Sequence, residues 1–264
     1  MTMSSEFQQR FSGTARLYGA DGLERLSKAH VCVVGIGGVG SWAAEALART
    51  AVGKITLIDL DELCVTNTNR QVHALNDNVG QPKVEVMADR IRAINPDCQC
   101  WAVEEFVSED NLDELLLGGF DFVIDAIDSV RPKAAMIAFC RRRKIPVISI
   151  GGAGGQTDPT RIQIADLSRT FQDPLAAKVR SQLRRYHGFS KNTKRRFDVP
   201  CVFSTEQLRY PQPDGSVCAQ KTGGEEGAMR LDCDSGFGAS TCVTATFGFV
   251  AVARVVDKLV AKKT

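Results

Sequence analysis

Residues 31–41, Val-Cys-Val-Val-Gly-Ile-Gly-Gly-Val-Gly-Ser, decide how the rest of the chain is read. An apolar, mostly β-branched run enters Gly35, Gly37, Gly38 and Gly40, and a helix-compatible segment, Trp42 to Thr50, follows without a break. Glycines let the backbone turn sharply and come close to a phosphate, and the free N–H groups at the start of the new helix hold the anion. The stretch therefore predicts a strand, a nucleotide-binding turn and a helix. On this motif alone NAD, FAD and ATP all stay open, because dehydrogenases and flavoproteins share it.

Working outward, strand-like and helix-like segments alternate. Ile55-Thr-Leu-Ile-Asp59 is an apolar run suited to a parallel strand covered on both faces, and it closes on Asp59. That residue follows Gly40 at close to the ~20-residue spacing at which such folds place a carboxylate on a ribose. After Gly80-Gln81-Pro82 the pattern predicts a helix from Lys83 to about Ile94, with Val84, Met87, Ala88 and Ile91 on one face. Further strands are expected at Gln99 to Phe106, Phe120 to Asp125, Pro146 to Ile150 and Arg161 to Ala165, with helices at Asn111 to Leu117 and Pro132 to Lys144 between them. The fold expected is α/β, a Rossmann-like, doubly wound, mostly parallel sheet with a basic C-terminal extension. In such sheets ligands lie beyond the carboxyl ends of the strands, which is where the Gly35 turn, Asp59 and Asp128 all fall. One domain over residues 1–264 is expected: a helical segment at 1–30, the nucleotide-binding core at 31–167, a basic insert at 168–230 and a C-terminal helix at 231–264.

Composition sets the outer bounds. With 33 Lys and Arg against 31 Asp and Glu the net charge is only +2, so affinity for nucleic acid requires a local patch. There is one: Lys178, Arg180, Arg184, Arg185, Lys191, Lys194, Arg195 and Arg196 occur with no Asp or Glu between them and with Tyr186, His187 and Phe189 interleaved. Phosphate-backbone binding needs such an excess, and the aromatic rings can stack on unpaired bases. A solvated basic helix and loop would show the same charges. Residues 168–230 depart from strand–helix alternation, and a mobile loop is expected around Gly223-Gly-Glu-Glu-Gly227.

The nine cysteines include no C-x-x-C pair, which argues against a four-thiolate zinc site. An odd count and an N-terminus without an apolar core predict a cytoplasmic protein with reduced thiols, Cys32, Cys140 and Cys242 being core residues. Ser235 to Ala253 carries no charge and is long enough to cross a bilayer. Its five Ser and Thr and three Gly favour a helix packed inside the protein over a membrane span.

The polar loop from Asp59 to Gln71 separates dehydrogenation from other chemistry. A dehydrogenase leaves the pyrophosphate intact and needs little charge around it. Here Arg70, Lys83 and Arg16 can neutralise a triphosphate, Asp128 can carry a Mg²⁺ that bridges its oxygens, and Asp59 remains for the ribose. Such equipment suits attack of a carboxylate on the α-phosphate with pyrophosphate leaving, with Gly38 leaving room for that phosphate. Taken singly, each residue has a structural alternative: Lys83 opening a helix, Asp128 capping one, Asn67 and Asn69 shaping turns.

Gly35-Ile-Gly-Gly-Val-Gly40, Asp59-x-Asp61, Asn67-x-Asn69-Arg70-Gln71, Gln81-Pro-Lys83 and Asp125-x-x-Asp128 stand in the order and spacing of the ThiF and MoeB adenylating enzymes, which resemble ubiquitin-activating enzyme. The resemblance implies ATP and Mg²⁺, adenylation of a carboxylate and a homodimer. Matched motif by motif, it implies that Asp59 holds the ribose, that Asn67, Arg70 and Lys83 hold phosphates, and that Asp128 holds the metal. It adds the four glycines, Asp61, Asn69 and Gln71 to the ATP-binding set. The chain departs from that group in lacking zinc knuckles, and Gly13 stands where an arginine reaching the partner's ATP is expected; Arg16 is the nearby candidate.

Across nearly the whole chain, Arg10 to Gly19, Asp128-Ser-Val-Arg-Pro-Lys133, Gly151 to Gly155, Gln172 to Ala176, Cys201 to Glu206 and Ser235 to Gly238 resemble the bacterial tRNA threonylcarbamoyladenosine dehydratase family. This resemblance implies ATP-dependent cyclisation of the threonylcarbamoyl group on a tRNA adenosine, and association with a cysteine desulfurase and its sulfur acceptor. Lys178, Arg184, Arg185, Lys194, Arg195 and Arg196 then become the candidate tRNA-binding residues. Activation of a sulfur-carrier protein and a nicotinamide-dependent oxidation are the alternatives that the residues leave open.

Overall fold

A computed structural model of the chain describes residues 4–212, 214–219 and 237–261. The expected mobile loop at 223–227, Ser235, Gly236 and the last three residues lie outside the described residues. Two N-terminal helices, α1 (Ser5–Arg10) and α2 (Ser12–Lys28), lead in, the second bent at Gly19, where φ is 78°. The body follows as β1 (His30–Val34), α3 (Gly40–Arg49), β2 (Lys54–Ile58), α4 (Lys83–Ile94), β3 (Gln99–Val103), α5 (Leu112–Leu116), β4 (Phe122–Asp125), α6 (Val130–Arg143) and β5 (Val147–Ile150). It continues through β6 (Ile162–Asp166), α7 (Pro174–Tyr186), β7 (Pro200–Ser204), the short β8 (Tyr210–Pro211) and β9 (Val217–Cys218), and α8 (Thr241–Val260).

Seven strands form one sheet in the order β3-β2-β1-β4-β5-β7-β6, parallel throughout except for β6, which pairs antiparallel with β7 at the edge. Alternation along β1 sends Val31 and Val33 to a core shared with α3, α4 and α8, and Cys32 and Val34 to a core shared with α5, α6 and α7. Because both faces are covered, the strand reads as an unbroken apolar run. Val34 lies level with Ile58 of β2 and with Asp125 of β4, so three strands end together. The sheet propagates in opposite directions from β1 and β4, and the crevice between their ends is the natural ligand site of this architecture.

The predicted helix from Lys83 to Ile94 has the bounds observed, while β3 stops at Val103, short of Phe106. The described part of residues 168–230 differs from expectation in a way that matters. It does not simply leave the strand–helix alternation: α7 packs beside α6, and β7 enters the sheet between β5 and β6. The apolar stripe Ala176, Val179 and Leu183 is buried on α7, but a high density of basic residues surrounds it in the sequence. The apolar C-terminal stretch forms α8, with Val243, Phe247, Ala251 and Val255 buried. A Cβ on Gly248 would lie 2.8 Å from Val39 O and 2.9 Å from Ala43 N, so glycine there allows α8 to approach the start of α3. Cys242 is exposed rather than core, because it lies on the outward face of α8 with Phe249 and Ala253, while its neighbours Val243 and Thr244 are buried. Among the described residues no helix is long and apolar enough to cross a membrane.

Candidate functional site

A cleft of about 760 Å³ opens where β1, β2 and β4 end. Its floor is the glycine turn. Gly35 has φ 88°, and a Cβ on Gly40 would lie 1.7 Å from Gly35 O, so the turn closes on itself in a way that no larger residue at position 40 permits. Gly35, Gly37 and Gly38 line the cleft, while Gly40 is buried beneath it as the first residue of α3. Over Gly38 the space is taken by Arg70, whose Cγ would be 3.1 Å from an added Cβ. The room that Gly38 leaves is therefore filled by an arginine stem, and the cation stands above the glycine turn.

Asp59, at the end of β2, accepts from Ile36 N at 2.5 Å through Oδ2 and from Asp61 N at 2.9 Å through Oδ1. Burial holds its carboxyl above the ordinary carboxylate range, and the Lys83 charge opposes that shift. Lys83 begins α4 and is 6% exposed; its Nζ lies 2.6 Å from Asp61 Oδ2, and its backbone N–H donates to Asp61 O. A helix start held on an adjoining loop thus points an ammonium into the cleft, paired with a carboxylate whose side chain is 71% exposed. Arg70 donates to Thr66 O at 2.8 Å and to Asn69 Oδ1 at 3.0 Å, and Trp42 Nε1 fixes its carbonyl at 3.0 Å. Asn67 is buried and its Oδ1 accepts from Cys64 N, so it shapes the turn while lining the cleft. Gln71 also lines the cleft. Asn69 does not; it donates to Ala239 O, and its own carbonyl accepts from Thr241 Oγ1, tying the loop to the start of α8.

On the opposite wall Asp128 is exposed and has no protein partner among the described residues. The helix cap at α6 is Ser129, so Asp128 is not spent on capping. Arg16 sits on the exposed side of α2, outside this cleft. Among the described residues no cluster of His, Cys, Asp and Glu could bind a metal by itself. A cation at Asp128 would have to draw its other ligands from substrate oxygens and water, which is how Mg²⁺ is held at phosphate sites.

The basic segment divides. Lys178, Arg185, Lys194, Arg195 and Arg196 are exposed, Arg196 with its Nε 3.8 Å from Asp166 Oδ2. Arg184 is half-buried over the Phe197 ring and donates to Ser190 O, so it supports the loop that presents the others. Leu175, in the first turn of α7, lines the cleft, and Arg185 lies ten residues further on, roughly 15 Å along the helix.

Buried charge behind the cleft was not singled out for a role in the sequence. Lys133 and Asp125 form an ion pair at 3.0 Å with both side chains inaccessible, and Asp173 caps α7 while holding Gly152 N. Lys133 precedes Met136, Ile137 and Cys140 by three, four and seven residues, the period of a buried helical face, and that was the available signal. Cys64 lines the cleft and is exposed; burial pushes the Cys98, Cys100 and Cys140 thiols up to about 12.

Residues 11–263 match the ThiF family. The chain belongs to that family. Individual relatives sharpen the placement: the chain is 62% identical over 262 residues, 99% of this chain and 97% of the other, to the tRNA threonylcarbamoyladenosine dehydratase of Escherichia coli K12. It is 54% identical over 264 residues to the Haemophilus influenzae enzyme of the same name, covering 100% of this chain and 98% of that one. The crystal structure of the E. coli enzyme, TcdA, in complex with ATP superposes with a TM-score of 0.87 at 57% identity, covering 98% of this chain and 97% of that one.

Proposed function

We propose that this ThiF-family chain is an ATP-dependent tRNA threonylcarbamoyladenosine dehydratase. The observation that carries the reading is the convergence of the glycine turn, Asp59, Arg70, Lys83 and Asp128 on one cleft, in a chain alike along its whole length to enzymes of that name. The ribose hydroxyls of ATP bind Asp59, and the base lies along the apolar wall that includes Ile58 and Phe106. Lys83 and Arg70 take the phosphates, Lys83 exchanging its Asp61 contact for phosphate oxygens. Asp128 holds Mg²⁺, whose charge, when bound, offsets the negative charge building on the departing pyrophosphate.

The threonine carboxylate of the modified adenosine attacks the α-phosphorus. A bond to phosphorus forms, the α–β bridging bond breaks, and pyrophosphate leaves. The mixed anhydride then has AMP as leaving group. An atom of the same threonylcarbamoyl group attacks the activated carbonyl, the ring closes, and one carboxylate oxygen departs with AMP. The nucleoside loses one water overall. Enzyme residues position and neutralise charge in this sequence, and none needs to form a covalent bond. A thiol relay with a cysteine desulfurase and its acceptor would call on Cys64, the described cysteine that lines the cleft.

Arg16 serves the cleft of a second copy in a homodimer, which accounts for an exposed arginine beside Leu17, itself 74% exposed. The tRNA lies along α7 from Leu175 toward Arg185 and the loop at 191–196. Incubation with ATP, Mg²⁺ and tRNA bearing threonylcarbamoyladenosine should lower the nucleoside mass by one water as AMP accumulates. An unchanged nucleoside mass refutes the assignment. Pyrophosphate exchange that needs a carrier protein and ignores tRNA would move it to sulfur-carrier activation.

A further inference from the structure

Lys133 lies within the buried face of α6 and is 1% exposed. A buried ammonium is tolerated only when its donors are met. Here they are met by Asp125 Oδ2 at 3.0 Å, Ile127 O at 2.9 Å and Asp125 O at 3.3 Å. Asp125 is held in turn: Ser149 Oγ donates to its Oδ2 at 2.7 Å, and its Oδ1 accepts from Ile127 N at 3.3 Å. One ion pair therefore fixes two carbonyls and one N–H of the turn at 125–127.

That turn does two things in the cleft. It packs on the glycine turn, where Ala126 N donates to Val34 O and a Cβ on Gly35 would come within 2.8 Å of Ala126 O. It also ends in Asp128, whose carboxylate makes no bond of its own to the protein among the described residues. Ser129, the next residue, makes no side-chain capping bond that would orient the turn from the other side. The turn's set is thus imposed by its pairing with Val34 at Ala126 and, on either side of that residue, from beneath by Lys133 through Asp125 O and Ile127 O. Stability alone does not explain an ion pair at this position, since well-packed apolar residues of similar volume often replace a buried pair without loss. What apolar residues cannot supply is a donor to Ile127 O.

We infer that Lys133 is a positioning residue for adenylation, its ammonium setting the 125–127 turn so that Asp128 is presented to the nucleotide and its divalent cation. This rests on the adenylation reading above. Mn²⁺ binding in the presence of a non-hydrolysable ATP analogue, followed by electron paramagnetic resonance, tests it without any need for turnover. Lys133→Met should bind the analogue alone within about twofold of the wild-type protein and bind Mn²⁺ with the analogue about tenfold more weakly, as expected when a group supporting a metal ligand is lost. Adding Lys133→Met to Asp128→Ala should cause no further loss, because the lysine acts through that carboxylate. Lys133→Met/Asp125→Leu removes both buried charges and carries the same prediction should the single variant fail to fold. Unchanged Mn²⁺ binding in a folded variant overturns the inference, and so does a further tenfold loss on top of Asp128→Ala. Failure of the wild-type protein to bind Mn²⁺ with the analogue would instead sink the adenylation reading itself.

Discussion

Replacing Lys83 with methionine separates catalysis from folding more cleanly than alanine does. The ammonium lies 2.6 Å from Asp61, but that carboxylate's side chain is 71% exposed, so losing the pair costs about 1 kcal/mol of stability or less. Lys83 itself is 6% exposed, and its stem is part of the packing at the start of α4. Alanine removes three buried methylenes at about 0.8 kcal/mol each, roughly 2 kcal/mol in all, whereas methionine keeps the volume. Lys83→Met should therefore shift Tm by less than about 4 °C and Lys83→Ala by about 4–8 °C. In catalysis both lose a donor aimed at phosphate charge, worth about 10²–10³ in rate. Quenched-flow measurement of AMP formation at saturating tRNA, beside thermal unfolding, reads the two effects separately. A less than tenfold loss in AMP formation by a Lys83→Met protein of normal Tm would refute the phosphate role. The same substitution has a pH signature. Asp59 has a raised carboxyl pKa, so the folded protein holds that proton more tightly than the unfolded chain does. Its contribution to stability falls as pH rises from the ordinary carboxylate range through the raised value. Lys83 limits that shift, so its removal should raise the Asp59 value further and widen the destabilising window upward.

Three further outcomes are expected. Changing Lys178, Arg185, Lys194 and Arg195 to glutamine should flatten the dependence of log K for tRNA on log salt by roughly 3–4 units, with ATP binding unaffected; an unchanged slope would make the segment a solvated surface. Arg184 is left in place because it packs on Phe197. Arg16→Ala and Lys83→Met proteins, each inactive, should regain about a quarter of wild-type activity on equimolar subunit exchange if Arg16 acts across a two-fold interface, and none if it acts within its own chain. Gly40→Ala should destabilise by more than about 3 kcal/mol, seen as lost soluble yield or a collapsed Tm, because the new methyl would meet Gly35 O at 1.7 Å with no flexible side chain to yield.

Much of the site was legible because it is built from turn chemistry and short spacings. Gly35 to Gly40, Asp59 and Asp128 follow the ends of strands that apolar runs mark out, a parallel sheet forces such ends to one edge, and Arg70 and Lys83 join them from the loop after β2 and the start of α4. The bounds of α4 followed from one apolar face and the proline before it. Less legible was what long side chains do in three dimensions. That Lys83 is buried, and that the stem of Arg70 fills the space above Gly38, depends on neighbours far away in sequence.

By itself, then, the chain's sequence determined the α/β alternation, the nucleotide turn and the residues that gather at it, since those depend on local periodicity and backbone freedom. Tertiary structure alone decided that β7 lies between β5 and β6, that α7 belongs to the body while presenting its cations, and that Lys133 and Asp125 meet beneath the Asp128 turn. Strand order is set by which edge is open when a segment arrives, and the pairing of buried charges by the packing that excludes water from them. Neither quantity has a period or a spacing along the chain.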